Sequence, residues 1–538
     1  MPLALLRSTL RFAVAACGTI TMICSLPLVA QDAPAASSTQ APAGGVQETP
    51  GQGYHLAVTT RVVVLDVVVT DKHGKLVHRN DLTKDDFTIY EDKVPQRILS
   101  FETPAKHEMP ASATAVVNSA ADLKKIGDAP VTILVLDELN SKFEDMSYSR
   151  QMMVKYLQEQ PAVLKQPTVL LFAENTKVTQ GHDYTQNRDE LIAIVKKHMP
   201  EYPWRMMNSG RNGPGAVERM AQVLATLQQL AQSSSGTPGR KNIIWVGNGF
   251  PSADLVGLDQ VTSDTIEAAI RRVTAKLLAS RITMYTINPI AGSSATIDIE
   301  TPDDLNQADA DAGPDPFGAG TVNFTDFAPS TGGMSFQGRN DINNVIAEGI
   351  AQGDEYYTIS YSPSDKTADP SKYRDIVIKM KDPDLRATTR KGYYPDTASD
   401  LNELADKTVT DKQKQRDLAL DLSQALTTTI SYNGLSVTAA KSKGGEYTIH
   451  VTDEHLSWSE PGPDGAEHSE ATVAAAWYDA KGKLLGHVAR EETAPRGAPN
   501  AGVTFTLPLP SVPSNAVSLR FVVRDALSGH MGTVDVKN

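Results

Sequence analysis

The hydrophobic pattern in the middle of the chain predicts an α/β domain. Residues 131–136 form an unbroken apolar or β-branched run, which is too short for a free helix and is typical of a buried parallel strand. Strand-like and helix-like patterns then alternate. The predicted strands are residues 168–173, 242–246 and 283–287 with an edge hairpin at 177–184, and the predicted helices are residues 144–158, 188–198, 216–232 and 263–280. This alternation predicts a doubly wound, mostly parallel sheet with helices on both faces.

Patterns with a period of two flank this domain and predict β structure on both sides. Residues 54–104 predict a small antiparallel β domain with turns near Gly74 and Asp92, and residues 363–396 predict a β-hairpin extension. In residues 429–538, six short strands separated by glycine, proline, asparagine and aspartate predict an immunoglobulin-like β-sandwich without a disulfide. Residues 397–428 carry leucine and alanine at helical spacing and predict a connecting helix.

The chain of 538 residues is too long for one hydrophobic core, so we expect several domains joined by linkers. Residues 31–53 contain hardly any large apolar group and predict a disordered linker. Residues 105–129 predict a second, polar and alanine-rich linker. The central domain then covers residues 130–362.

The first thirty residues predict a signal peptide for export. Arg7 and Arg11 supply the positive start, residues 12–29 are mostly apolar, and Ala30 offers a small-residue cleavage site. Two alternatives remain, lipidation at Cys17 and retention of the segment as an anchor. Cleavage would remove both cysteines, so the mature chain would hold no disulfide. We therefore expect a protein of the periplasm, the cell envelope or the extracellular space, with no transmembrane span in its mature chain.

Composition and charge exclude one class of partner. The hydrophobic content of 40% and the charged content of 21% are ordinary for a globular protein. The formal net charge is −13, and removal of residues 1–30 would take away two positive charges and bring it near −15. Because binding to nucleic acid depends on positive charge, a non-specific nucleic-acid binder is not expected.

The candidate chemistry lies at the end of the first central strand. Asp137 ends the apolar run, Asn140 and Ser141 follow it, and a predicted helix begins soon after. Open α/β sheets bind ligands in the crevice at the carboxyl ends of their strands. This position therefore predicts a binding site.

The sequence LDELNS followed by FEDMSYSR resembles the von Willebrand factor A family, in which the first strand ends in Asp-x-Ser-x-Ser. These residues are most similar to a von Willebrand A-related family described from Acidobacteria, whose members are secreted or envelope proteins. The segment FAPSTGGMSF also resembles the Thr-Gly-Gly that leads into the last strand of such domains. The resemblance implies a von Willebrand A-like fold for residues 130–362.

The resemblance further implies a divalent cation at a metal-ion-dependent adhesion site. Asp137 matches the leading Asp of the motif, Ser141 matches its second Ser, and Leu139 stands where the first Ser would supply an oxygen. Asn248, in the loop after the strand NIIWV, stands where the family has an acidic ligand. Ser209 is the one hydroxyl in the loop that would supply the family's Thr.

Two interpretations of this degenerate site remain open. In the first, Asp137, Ser141 and Asn248 hold Mg²⁺ or Ca²⁺ weakly, because hard cations want about six oxygen ligands and few are present. In the second, the carboxylate of Asp137 caps the following turn or helix and binds no metal. The acidic insertion at residues 297–327 is a surface loop or a recognition loop near the same strand ends.

No motif for catalysis stands in a fitting context. The chain has no GxSxG, HExxH, P-loop or Rossmann fingerprint where these would work, so no catalytic residue is predicted. From the resemblance we expect an exported, non-enzymatic protein-binding or adhesion-type protein whose partner is a protein or another envelope ligand. A structural or assembly scaffold of the envelope is the alternative, and a secreted hydrolase is a more distant one.

Overall fold

The computed structural model describes residues 62–110, 117–174, 178–200, 214–250, 252–255, 258–289, 315–317, 320–365, 372–395, 411–442, 446–462, 465–498 and 500–538. These residues belong to one compact unit, residues 60–538. The predicted linker at 31–53, the predicted signal at 1–30, Ser209 and most of the acidic insertion lie outside the described residues. Among the described residues, no helix combines the length and the apolar character that a bilayer span requires.

The described strands, in chain order, are β1 (Val63–Asp71), β2 (Phe87–Glu91), β3 (Val94–Gln96), β4 (Ile98–Glu102), β5 (Val131–Asp137), β6 (Val163–Ala173), β7 (Val178–Asn187), β8 (Lys241–Val246), β9 (Ala253–Asp254), β10 (Ile282–Ile287), β11 (Thr321–Val322), β12 (Ser335–Phe336), β13 (Tyr357–Tyr361), β14 (Arg374–Met380), β15 (Leu385–Thr388), β16 (Gly392–Tyr393), β17 (Val437–Lys441), β18 (Tyr447–Val451), β19 (His468–Tyr478), β20 (Leu484–Pro495), β21 (Val503–Leu507), β22 (Ser518–Asp525) and β23 (Met531–Lys537). The α-helices are α1 (Phe143–Glu159), α2 (Arg188–Lys197), α3 (Pro214–Ser233), α4 (Gln260–Ala279), α5 (Phe327–Thr331), α6 (Ile342–Asp354) and α7 (Asp411–Thr427).

The centre of the molecule is a six-stranded sheet in the order β12-β10-β8-β5-β6-β7. All neighbours in it are parallel except β7, which pairs antiparallel with β6. The prediction of a mostly parallel sheet is therefore confirmed, and each helix and strand predicted from its pattern in this region is present within a few residues of its expected bounds, with β6 starting earlier.

Both faces of this sheet are covered, because successive side chains of a strand point to opposite faces. Ile133 and Val135 of β5 belong to a core that includes side chains of α3 and α4. Leu134 and Leu136 belong to a second core that includes side chains of α1, α2 and α6. The unbroken apolar run of β5 is explained by this burial on two sides.

Strands that precede and follow the central sheet pair with each other, and they include β13, which lies inside the range 130–362 predicted for the central domain. β1 lies between β13 and β15 in one sheet, and β2 pairs with β14 in another. The turn between β2 and β3 has two residues with positive φ, Asp92 and Lys93, as the hairpin prediction requires. The sequence patterns of residues 54–104 and 363–396 predicted two separate β segments and did not indicate that the two segments pair.

A partly buried charge pair connects this β unit to the central sheet. Nη2 of Arg281, next to the start of β10, donates to Oδ1 of Asp66 in β1 at 2.8 Å and to Oγ1 of Thr358 in β13 at 3.1 Å. The positive charge of Arg281 holds the pKa of the Asp66 carboxyl below its ordinary value, even though burial alone would raise it. The two units therefore share a polar contact as well as apolar packing.

The described strands from β17 to β23 form two sheets that share one core. One sheet has the order β17-β18-β21 and the other β20-β19-β22-β23. Tyr447, Ile449 and Phe505 of the first pack with Trp477 and Phe521 of the second. The six predicted strands are present. β20 is a seventh that was not predicted, because most of its side chains are at least partly exposed and its charged residues 490–492 are consecutive and interrupt the alternation of apolar and polar positions.

Candidate functional site

The carboxyl ends of the central strands bring Asp137, Ser141 and Asn248 together. Parallel pairing of β5 with β8 sets Leu136 opposite Val246, so the loops that follow the two strands meet. The backbone N–H of Asn248 points to Oγ of Ser141 at 3.4 Å. We call this edge of the sheet the strand-tip edge.

The carboxylate of Asp137 is fully buried and accepts four N–H groups. Its Oδ1 accepts from the backbone N–H groups of Leu139 and Asn140, both at 3.0 Å. Its Oδ2 accepts from the backbone N–H of Gly249 at 2.7 Å and from the indole N–H of Trp245 at 3.3 Å. Because a carboxylate has about four acceptor positions, the contacts of Asp137 are those of a brace between two loops.

The electrostatics of Asp137 combine two opposing effects. Burial raises the pKa of its carboxyl to about 6, although the four N–H donors favour the ionised form and lower it. A cation at this carboxylate would have to replace N–H donors that are already in place. These contacts support the interpretation of Asp137 as a cap.

The neighbours of Asp137 fit the same interpretation. Leu139, at the position where the adhesion-site motif has a serine, is 1% exposed and packs in the core beneath the loops. Gly247 has φ +146°, and a Cβ at this position would lie 2.2 Å from Cβ of Asp137. The loop after β8 can therefore approach Asp137 closely only because residue 247 is glycine.

The amides at this edge have free acceptor or donor capacity. Oδ1 of Asn248 and both side-chain polar atoms of Asn140 are buried and have no hydrogen-bond partner among the described residues. The side-chain N–H of Asn248 reaches the backbone carbonyl of Asn140 at 3.4 Å. The polar atoms of the strand-tip edge are thus only partly satisfied.

A cluster of two carboxylates and one histidine begins at the residue after Asp137 and was not predicted from the sequence. Glu138 follows β5, Glu174 follows β6, and His198 follows α2. One ligand atom from each lies within 4.8 Å of the others. Part of this cluster has a sequence signal, because both glutamates come directly after strands that are neighbours in the sheet. The sequence around His198 does not indicate that its side chain lies next to these glutamates.

A cavity of about 440 Å³ lies near the opposite edge of the sheet, next to the start of β10. Its walls include Leu278, Phe317 and Tyr394, and its polar lining includes Arg390 and Tyr373. This cavity is remote from Asp137 and was not predicted from the sequence.

Comparisons with known proteins give no family. No family model matches the sequence, and no curated protein matches it. Among solved structures, the chain is similar to proximal thread matrix protein 1 of the mussel byssus, with 14% identity and a TM-score of 0.20. That match spans 30% of this chain and 38% of the mussel chain.

Proposed function

We propose that this chain is an exported, non-enzymatic binding protein that contacts a protein partner through the strand-tip edge of its central domain. The central domain would have the von Willebrand A-like fold and the last domain an immunoglobulin-like fold. The mostly parallel sheet with helices on both faces and the two-sheet C-terminal core support these assignments.

The distribution of exposed apolar side chains carries the proposal. Among the described residues of the central domain, four large apolar side chains are strongly exposed: Phe143 (49%), Val163 (55%), Met199 (81%) and Val261 (75%). Three of them lie on the strand-tip side. Phe143 and Val261 are at the starts of the helices that follow the loops after β5 and β8. Met199 follows His198, whose ring contacts Glu138.

Such a grouping is typical of a contact surface. Single exposed apolar residues are normal, but aromatic residues and methionine are enriched at the centres of protein interfaces. Asp137 would serve this surface by holding its loops in one arrangement, without a metal ion of its own.

Capture experiments with matched variants test the proposal. The triple variant Phe143→Ser/Met199→Ser/Val261→Ser should capture a crosslinked envelope partner at least about tenfold less well than the wild type, because interface anchors each contribute more than about 1 kcal/mol. Val163→Ser, at the opposite edge, should capture the same partner normally. Equal capture by the triple variant would refute the binding surface.

Export belongs to the same proposal. Intact-mass measurement on protein from the native envelope should give a mature N-terminus at or near Gln31, after the predicted cleavage site. A mass that includes Met1 would contradict cleavage of the segment.

The cavity beside β10 favours a second candidate function, the binding of a small organic anion. Nε of Arg390 is buried and has no hydrogen-bond partner among the described residues, and the same holds for the hydroxyls of Tyr373 and Thr274. All three residues line the cavity. Burial lowers the pKa of Arg390, so its charge lacks full compensation there. A carboxylate, sulfonate or phosphate on an apolar body would satisfy these donors.

The aromatic sulfonate 8-anilinonaphthalene-1-sulfonate is a suitable probe. We expect fluorescence-detected binding that inorganic phosphate displaces, and an affinity at least about tenfold weaker in Arg390→Gln, as loss of a charge-assisted hydrogen bond predicts. Arg386→Gln, an exposed change in β15, should bind normally. If phosphate does not displace the probe from the wild type, that result contradicts an anion site. This outcome does not depend on whether Arg390→Gln folds.

A further inference from the structure

We propose that Glu138, Glu174 and His198 form a binding site for a divalent first-row transition ion such as Zn²⁺ or Mn²⁺. This site is separate from Asp137, Ser141 and Asn248, and it stands independently of the proposed partner-binding function. We call it the Glu-Glu-His site.

The strand register brings the two glutamates together. Asp137 and Ala173 are register partners in the parallel pair β5 and β6, so Glu138 and Glu174 leave the sheet side by side. The backbone N–H of Glu138 donates to the carbonyl of Ala173 at 3.0 Å and extends the pairing by one residue. Both glutamates are buried, with exposures of 1% and 6%.

Helix α2 supplies the third group. The helix ends at Lys197, and the backbone N–H of His198 still donates to the carbonyl of Ile194. The imidazole ring stacks on the ring of Phe172, with centroids 3.5 Å apart and planes inclined by 6°. The position of the ring nitrogen is thus fixed by packing before any ligand binds.

The distances are those of a group arranged around one point. Nε2 of His198 lies 3.0 Å from Oε1 and 3.1 Å from Oε2 of Glu138, and 3.9 Å from Oε1 of Glu174. Ligands about 2.1 Å from a shared ion lie about 3.0–3.4 Å apart in octahedral or tetrahedral geometry. Movements of about 1 Å or less would therefore place all three on one cation.

The hydrogen bonds within the Glu-Glu-His site leave one buried carboxylate oxygen without a well-placed donor among the described residues. Nε2 of His198 carries at most one proton, yet it faces both oxygens of Glu138. Oε1 of Glu138 is buried and accepts no well-formed hydrogen bond among the described residues. A buried carboxylate oxygen without a donor is costly, and a metal bond would satisfy it.

Charge favours the same ligand. Two buried carboxylates face one imidazole, so even a protonated histidine balances only one of the two negative charges. A divalent cation with a neutral imidazole would balance both. Oγ1 of Thr179 donates to the other oxygen of Glu174 at 2.7 Å, which orients that carboxylate as outer groups orient metal ligands elsewhere.

The donor set selects the class of ion. One imidazole nitrogen with two carboxylates suits zinc, manganese, iron or cobalt, whereas Mg²⁺ and Ca²⁺ prefer oxygen ligands alone. Three protein ligands also leave at least one position for water or for an acidic group of a bound molecule.

Titration of the chelator-treated full chain with Co²⁺ and Zn²⁺ tests the site. We expect one equivalent to bind, with visible Co²⁺ absorption bands that Zn²⁺ abolishes. Glu138→Gln and His198→Gln should each weaken binding at least about tenfold, and Thr179→Val should weaken it less. His182→Gln is the control, since His182 faces Glu190 at 3.4 Å in the same domain but outside the cluster; it should leave binding unchanged.

Two results would overturn the inference. One is the absence of stoichiometric binding in the wild type, which would leave the cluster as an ion pair only. The other is unchanged affinity in His198→Gln. If that variant does not fold, anomalous diffraction from zinc-soaked wild-type crystals decides, because a peak anywhere other than between the three side chains would refute the assignment.

Discussion

Replacement of Asp137 by alanine should lower the free energy of unfolding by at least about 3 kcal/mol, the largest effect that we expect from a single polar side chain in the central domain. The change leaves four N–H groups without their acceptor, and each buried donor left unsatisfied costs about 1–3 kcal/mol. Two of these donors, on Leu139 and Gly249, belong to different loops. Denaturant unfolding followed by indole fluorescence measures the loss, since Trp245 donates to the same carboxylate.

Two further variants separate this brace from an ordinary cap. Asp137→Asn keeps the size but turns one acceptor oxygen into a donor, so it should recover less than half of the lost stability. Asp259 accepts from the N–H of Thr262 at the start of α4 and is exposed. Asp259→Ala should therefore cost only about 0.5–2 kcal/mol, the usual range for a helix cap.

Added Mg²⁺ or Ca²⁺ distinguishes the two interpretations of the degenerate site. If Asp137 is a brace, these ions at millimolar concentration should leave the melting temperature of the wild type unchanged. An ion that binds the folded state at 100 times its dissociation constant would add about 2.7 kcal/mol. A melting temperature that rises with Mg²⁺ in the wild type and not in Asp137→Asn would contradict the brace. Zn²⁺ or Mn²⁺ effects that depend on His198 would belong to the Glu-Glu-His site.

The sequence was sufficient for features whose causes are local. The buried run of β5 and the aspartate at its end lie within a few residues of each other, so periodicity and position predict both the strand and a polar tip. The hairpin at Asp92 follows equally from a short turn sequence. The sequence also showed that Leu139 stands where the cation motif has a serine. The structure gives the physical reason, because the Leu139 side chain is buried in the core.

Features assembled from distant segments were not accessible in this way. The Glu-Glu-His site depends on the register between β5 and β6 and on the length of α2, and neither leaves a local mark. The pairing of β1 with β13 joins segments that precede and follow all strands of the central sheet. β20 was missed because its exposed charged side chains hide the alternation that identifies a strand.

Gly247 should be as intolerant of change as Asp137. Its φ of +146° is one that a side chain rarely adopts, and an added Cβ would lie 2.2 Å from Cβ of Asp137 and 2.8 Å from Oγ of Ser141. Cβ of Asp137 is fixed by the buried strand, so the loop after β8 must move instead. Gly247→Ala should therefore break the hydrogen bond from the backbone N–H of Gly249 to Asp137 and lower the free energy of unfolding by about 3 kcal/mol or more.

Gly338→Ala is the matched control for Gly247→Ala. Gly338 has φ +69°, and a Cβ added there would meet no atom within 4 Å, so the change should cost only the backbone term of about 1–2 kcal/mol. If the loops after β5 and β8 form the contact surface, Gly247→Ala should also fail to capture the partner at temperatures where the variant is still folded. Gly338→Ala should capture the partner normally. Equal stability of the two variants would show that the loop after β8 does not rest on Asp137, and normal capture by folded Gly247→Ala would place the partner elsewhere on the molecule.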